Sequence, residues 1–154
     1  MGAYDDTSDA EPPGARPYFW QALQYASAEY MRGLGAFVLS EGVRYRDLRP
    51  ASGSLSARKA PGSSEQGLDG WSFLMRAPDG AFGLLYFENK AQRGAATGWR
   101  PNARYLFAWY DPRGGEWRNS IELRSDGAGR LQLPPFPGGS DVADTDWAAK
   151  VIAR

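Results

Sequence analysis

The chain has 154 residues, 42% of them apolar and 14% aromatic, and its 18 basic and 18 acidic side chains leave no net charge. That length fits one domain of ordinary size. The balanced charge supplies no long-range field toward nucleic acid or anionic lipid, so neither a nucleic acid nor a membrane is expected as partner. Cysteine and histidine are both absent, which excludes disulfides, thiolate chemistry and imidazole as metal ligand or general base. Hydrolytic chemistry built here has to use carboxylates, and no cofactor is expected.

Residues 1–16 are acidic, then rich in Pro and Gly (Glu11-Pro12-Pro13-Gly14), and read as a flexible lead segment. They hold no apolar run of the kind a signal peptide needs, and the compartment is left open. Pro17 opens an expected amphipathic helix over 17–40. Its large apolar residues (Trp20, Leu23, Tyr30, Met31, Leu34, Phe37 and Val38) recur at the three-to-four spacing of one helical face. Gly33 and Gly35 weaken its last turns, at roughly 1 kcal/mol each relative to Ala.

Residues 41–154 read as an antiparallel β-sandwich of six to eight strands, making the chain all-β with one N-terminal helix. Val43 to Leu48 alternates weakly, as an edge strand would, before a long Ser/Gly/Pro tract. Trp71 to Arg76 and Ala81 to Glu88 flank Ala77-Pro78-Asp79-Gly80, where Pro presets the turn and Gly supplies positive φ, so these two should form a hairpin. Ala103 to Tyr110 is apolar on both faces, as a covered central strand would be. Glu116 to Leu123 alternates, with Trp117, Ile121 and Leu123 inward. A short strand at Leu131 to Leu133 and a closing strand at Trp147 to Ile152 complete the series. Short strands at about ten-residue spacing are the signature of a sandwich or barrel. The core is expected to include Leu84, Tyr86, Tyr105, Phe107, Trp109, Ile121 and Trp147.

Three kinds of chemistry are open to these residues. Paired carboxylates could hydrolyse glycosides, with Glu88, Asp111, Glu116, Asp126, Asp141, Asp144 and Asp146 as candidates. Most sit where turns and caps place Asp for structural reasons, and no catalytic residue is assigned. A calcium site at Asp141, Asp144 and Asp146 matches no EF-hand spacing, and no metal ligand is assigned. Aromatic rings could stack on sugars. Trp71, Trp109 and Trp147 lie in strand patterns and read as core, whereas Trp99 lies outside any strand and Trp117 follows a Gly-Gly turn. Trp99 and Trp117, with Arg100 and Arg113 to bond hydroxyls, are therefore the candidate carbohydrate-binding residues.

The run Tyr105-Leu-Phe-Ala-Trp-Tyr-Asp-Pro-Arg-Gly-Gly-Glu-Trp117 resembles the aromatic strand and Asp-Pro-Arg turn of C-terminal β-sandwich domains of barrel glycoside hydrolases. These include the domain type carrying a collagen-binding label in apiosidase-like enzymes. Leu84-Leu-Tyr-Phe-Glu88, Leu131-Gln-Leu-Pro-Pro135 and Asp146-Trp-Ala-Ala-Lys-Val151 resemble further strands of that domain. Ala28-Glu-Tyr-Met-Arg-Gly-Leu34 resembles the helix that ends the barrel, and Gly114 departs from the usual Thr. The resemblance implies a non-catalytic accessory domain that packs against a catalytic barrel carrying the reactive carboxylates. The alternatives are an independent carbohydrate-binding module, with a polysaccharide as partner, and a small carboxylate-dependent hydrolase. The apolar helix face must bury against the sheet, the barrel or a second copy, so self-association through it is also expected.

Overall fold

The structure, a computed structural model, describes residues 26–65 and 68–154, with side chains from residue 31 onward. The expected lead segment and the first turns of the expected helix, including Trp20 and Leu23, lie outside these residues. Helix α1 spans Ala26–Val38. Nine strands follow: β1 (Arg49–Pro50), β2 (Ser72–Arg76), β3 (Phe82–Phe87), β4 (Ala95–Ala96), β5 (Arg104–Asp111), β6 (Glu116–Trp117), β7 (Ile121–Arg124), β8 (Leu131–Gln132) and β9 (Trp147–Ala153). Seven form one antiparallel sheet in the order β1-β2-β3-β9-β5-β6, with β7 also on β5, while β4 and β8 form a small second sheet. The fold is all-β, sandwich-like and antiparallel, as expected.

The β2–β3 hairpin stands where the Pro-Asp-Gly turn requires it, with Gly80 at φ +65° and Leu74 opposite Leu85. One edge of the sheet is blunted by the two-residue β1, whose Pro50 has no N–H to offer another strand.

Alternation along the strands divides the large sheet into two covered faces. The inner face meets the small sheet and the loops through Leu74, Leu85, Phe87, Tyr105, Phe107, Trp109, Trp147, Ala149 and Val151, with Leu131, Leu133 and Phe136 from the other side. Tyr105 is fully buried, yet its hydroxyl donates to Gly80 O at 2.9 Å and accepts Arg100 N–H at 2.8 Å, so this polar atom is satisfied. The outer face holds Phe82, Leu84, Tyr110 and Ala148, covered by Phe37 and Leu48.

Several expectations are corrected. Residues Gly42–Asp47 form a 3₁₀ helix with none of its residues buried, because no sheet neighbour is available there and Val43 points into solvent at 66% exposure. β4 was not foreseen, because two alanines carry no periodicity. Tyr86 and Ile121, expected in the core, are 37% and 41% exposed: Tyr86 lies on an incompletely covered part of the outer face, and Ile121 on the terminal strand pair.

The alternating run Glu116 to Leu123 is not one strand. Tyr110 pairs with Trp117 but Phe107 pairs with Ile121, which puts one extra residue between them on the β6–β7 side. Such a bulge swaps faces, so Trp117 joins Tyr110 outside while Ile121 and Leu123 share the side of Phe107 and Tyr105.

Candidate functional site: the outer face beside helix α1

The outer-face aromatics fasten the helix. Phe37 stacks on Tyr110, with centroids 5.3 Å apart, and on Trp117 at 5.8 Å, both at 28°. The Lys150 ammonium sits 4.3 Å from the Trp117 ring centre and pairs with Glu41 at 2.7 Å. The Tyr110 hydroxyl donates to Gly33 O at 2.8 Å, fixing the helix about one and a half turns from its C-terminal end. Burial of the phenol, followed by the nearby Asp111 carboxylate, raises the Tyr110 pKa, so this donor stays protonated at any ordinary pH.

One turn before Phe37 the helix leaves the sheet open. An apolar groove of about 610 Å³ runs between α1 and the ends of β3, β5 and β9, with Leu34, Phe37, Tyr86, Tyr110 and Ala148 as walls and Arg113 and Asp146 at its rim. Leu34 is 52% exposed and Met31 66%. Across the groove, Tyr86 is the cross-strand partner of Phe73, and Phe73 and Met75 are 40% and 43% exposed. The Tyr86 hydroxyl donates to Asp146 at 2.6 Å, and Asp146 also accepts Asn89 N–H at 2.8 Å. Burial, then the hydrogen bond and charge of Asp146, pushes the Tyr86 pKa up. The phenol therefore stays protonated as the donor, and the hydrogen bond to Asp146 holds the ring in place.

Phe73, Met75 and Tyr86 were missed as surface residues. The signal was present: Trp71 to Arg76 carries large apolar groups on both faces, Leu74 on one, Phe73 and Met75 on the other. A strand of that kind needs cover on two sides.

At the rim, Arg113 grips Asp111 with Nε and Nη2, each 2.9 Å from a carboxylate oxygen, and Arg118 approaches at 3.5 Å. Both guanidinium groups lie near the Trp147 ring, at 5.3 and 5.9 Å. The Arg113 hydrogen bond, against the opposing effect of burial, holds the Asp111 carboxyl below the usual carboxylate range. Because folding lowers this pKa, Asp111 adds stability above the unfolded-state value of about 3.9 and loses it as the pH falls through the lower folded-state value. Asp111→Asn should thus lower the urea midpoint at pH 7 by the equivalent of about 1–3 kcal/mol and flatten the acid loss below about pH 4. Urea titrations at several pH values check both effects; an unchanged acid slope would count against this assignment.

The four candidate sugar contacts are not brought together. Trp99, expected in an exposed loop, is 3% exposed. It stacks edge-on against Tyr105 over Gly83, where a Cβ would stand 2.7 Å from the indole Cη2. Arg100 pairs with Asp79 at 2.6 Å beside the hairpin turn. Arg113 and Trp117 belong to the other end of β5, and Trp117 lies on the opposite face of the sheet from Trp99.

Of the candidate carboxylates, Asp111, Asp144 and Asp146 lie around Arg113, while the others stand apart. Glu88 accepts the N–H groups of Leu68 and Trp71, both at 3.2 Å. Asp141 pairs with Arg93 at 3.0 Å, and Asp144 accepts the Trp147 indole N–H at 3.3 Å. Among the described residues no three acidic groups converge as a metal site, and no helix is long and apolar enough to cross a membrane.

No protein-family model and no curated protein sequence matches the chain. Its fold does recur in solved structures. A chain described as a glycoside hydrolase superposes on 92% of this one with a TM-score of 0.61 and 15% identity, using 30% of its own length. The same β-sandwich fold thus occurs within that longer chain. A family 5 glycoside hydrolase from Bacteroides vulgatus ATCC 8482 is similar over 88% of the chain, with a TM-score of 0.58 and 16% identity over 26% of its length. The chain spans less than a third of either protein.

Proposed function

We propose that this chain is a non-catalytic accessory domain of a glycoside hydrolase, packing against a separate catalytic domain. The observation that carries this reading is the recurrence of the fold as a minor part of much longer glycoside hydrolase chains. The carboxylates support it. A glycosidase needs one carboxyl held protonated near neutrality and another held ionised. Here Asp111 is pushed in the acidic direction by arginine, and Glu88, Asp141, Asp144 and Asp146 are engaged with backbone amides, arginine, indole and phenol. The domain's chemistry is then packing and positioning, with bond cleavage left to residues outside it.

The test is a hydrolysis screen of the purified chain on aryl glycosides and polysaccharides. Turnover is expected to equal the buffer blank, for the wild type and for Glu88→Gln alike. Hydrolysis that disappears in Glu88→Gln would replace this reading with a small carboxylate-dependent hydrolase. Retardation of the chain in polysaccharide-containing gels would favour a carbohydrate-binding module instead.

A further inference from the structure

Resting on the accessory-domain reading, we infer that the catalytic domain docks on the outer face of β2 and β3 together with the exposed side of α1. The anchor is a bulky apolar side chain seated in the groove between Leu34 and Tyr86. Two observations meet there. Met31, Leu34, Tyr86, Phe73 and Met75 are all exposed. They are also contiguous, because Leu34 and Tyr86 share the groove, Phe73 is the cross-strand neighbour of Tyr86 and Met75 is next on that side of β2. Lone soluble domains rarely leave so many large apolar groups adjoining.

The chemistry of the patch selects a protein over a sugar. Met31, Leu34 and Met75 offer a hydroxyl no strong donor or acceptor, and thioethers adapt to irregular apolar partners. The groove, with apolar walls and one charge of each sign at the rim, suits a central anchor surrounded by polar contacts. Most of each similar glycoside hydrolase lies outside this fold, which provides a partner of domain size.

The chain has no native cysteine, so a single introduced thiol reports on one place. Leu34→Cys and Phe73→Cys would be alkylated with iodoacetamide, and Val142→Cys, exposed outside the patch, would serve as control. Rates are read by mass spectrometry on the chain alone and in the presence of the glycoside hydrolase catalytic domain encoded in the same or the adjacent reading frame. The first two rates are expected to fall at least tenfold in the assembly and the control to stay unchanged. Binding that leaves both thiols equally reactive would overturn the docking surface while the accessory reading stands. Thiols already protected in the isolated chain would show this face covered by a second copy or by residues 1–25 of the same chain, and would overturn it too. The absence of binding to any such catalytic domain would defeat the accessory reading itself.

Discussion

Trp109→Ala should lose about 3–5 kcal/mol of folding stability, the usual cost of emptying a buried indole site. The ring is 4% exposed and touches four other aromatics: Phe107 at 4.9 Å, Phe136 at 5.2 Å, Phe87 at 5.4 Å and Trp147 at 6.3 Å between centroids. These come from β3, β5, β9 and the loop after β8, so collapse around the gap would need all of them to move together. The indole N–H also donates to Pro135 O at 3.2 Å, leaving that carbonyl without this donor in the variant. A small domain has only about 5–15 kcal/mol in hand, so the variant loses a large share of its stability. Urea unfolding followed by near-ultraviolet circular dichroism measures the loss. A change below about 1 kcal/mol would mean the cluster repacks far more easily than close-packed cores do.

The second large effect concerns the turn before β8. Gly129 has φ +71°, and a Cβ placed there would run into the carbonyl of Trp99, whose N–H donates to Gly129 O at 3.0 Å. Gly129→Ala therefore combines left-handed strain of about 1–2 kcal/mol with an overpacking cost of about 1–3 kcal/mol, against backbone that cannot turn aside. Gly138 is the control. Its φ is +94°, but a Cβ there meets nothing within 4 Å, so Gly138→Ala should cost no more than the strain. Thermal melts of the two variants separate the contributions, and equal melting temperatures would show that the Trp99 contact yields.

These two sites also mark how far the sequence could be read. Trp109 was recognisable as core because a strand with large residues on both faces must be covered twice. The 77–80 turn was recognisable because Pro and Gly state their dihedral preferences locally. Trp99 was misread because its neighbours are Thr, Gly, Arg and Pro, a loop composition. What buries it is Gly83, sixteen positions earlier, and no local pattern records that distance. The same limit hid the bulge between Trp117 and Ile121, since a run of correct alternation does not reveal where its pairing partner slips by one. Of the outer face, the helix stripe was legible but its division was not. Phe37 is buried while Leu34 and Met31 are exposed, and that follows from where Tyr110 and Trp117 stand. The scattered sugar candidates failed to assemble for a related reason: spacing along a chain does not tell which end of a sheet, or which face, a loop returns to.

The position of β9 sets an order of events during synthesis. The last strand in the described chain lies between β3 and β5, and its register joins both neighbours along nearly its whole length. Until Trp147–Ala153 has left the ribosome, the β2–β3 hairpin and the β5–β7 meander are separate fragments with open edges, each ready to pair wrongly with other chains. The contacts that close the sheet join residues far apart in sequence, so closure pays its loop entropy late and is expected to be slow. Lys150, on that same strand, is also the residue that reaches Glu41 beyond the end of α1. The outer face is therefore completed only when β9 is in place and brings Ala148 and Lys150 beside Tyr110.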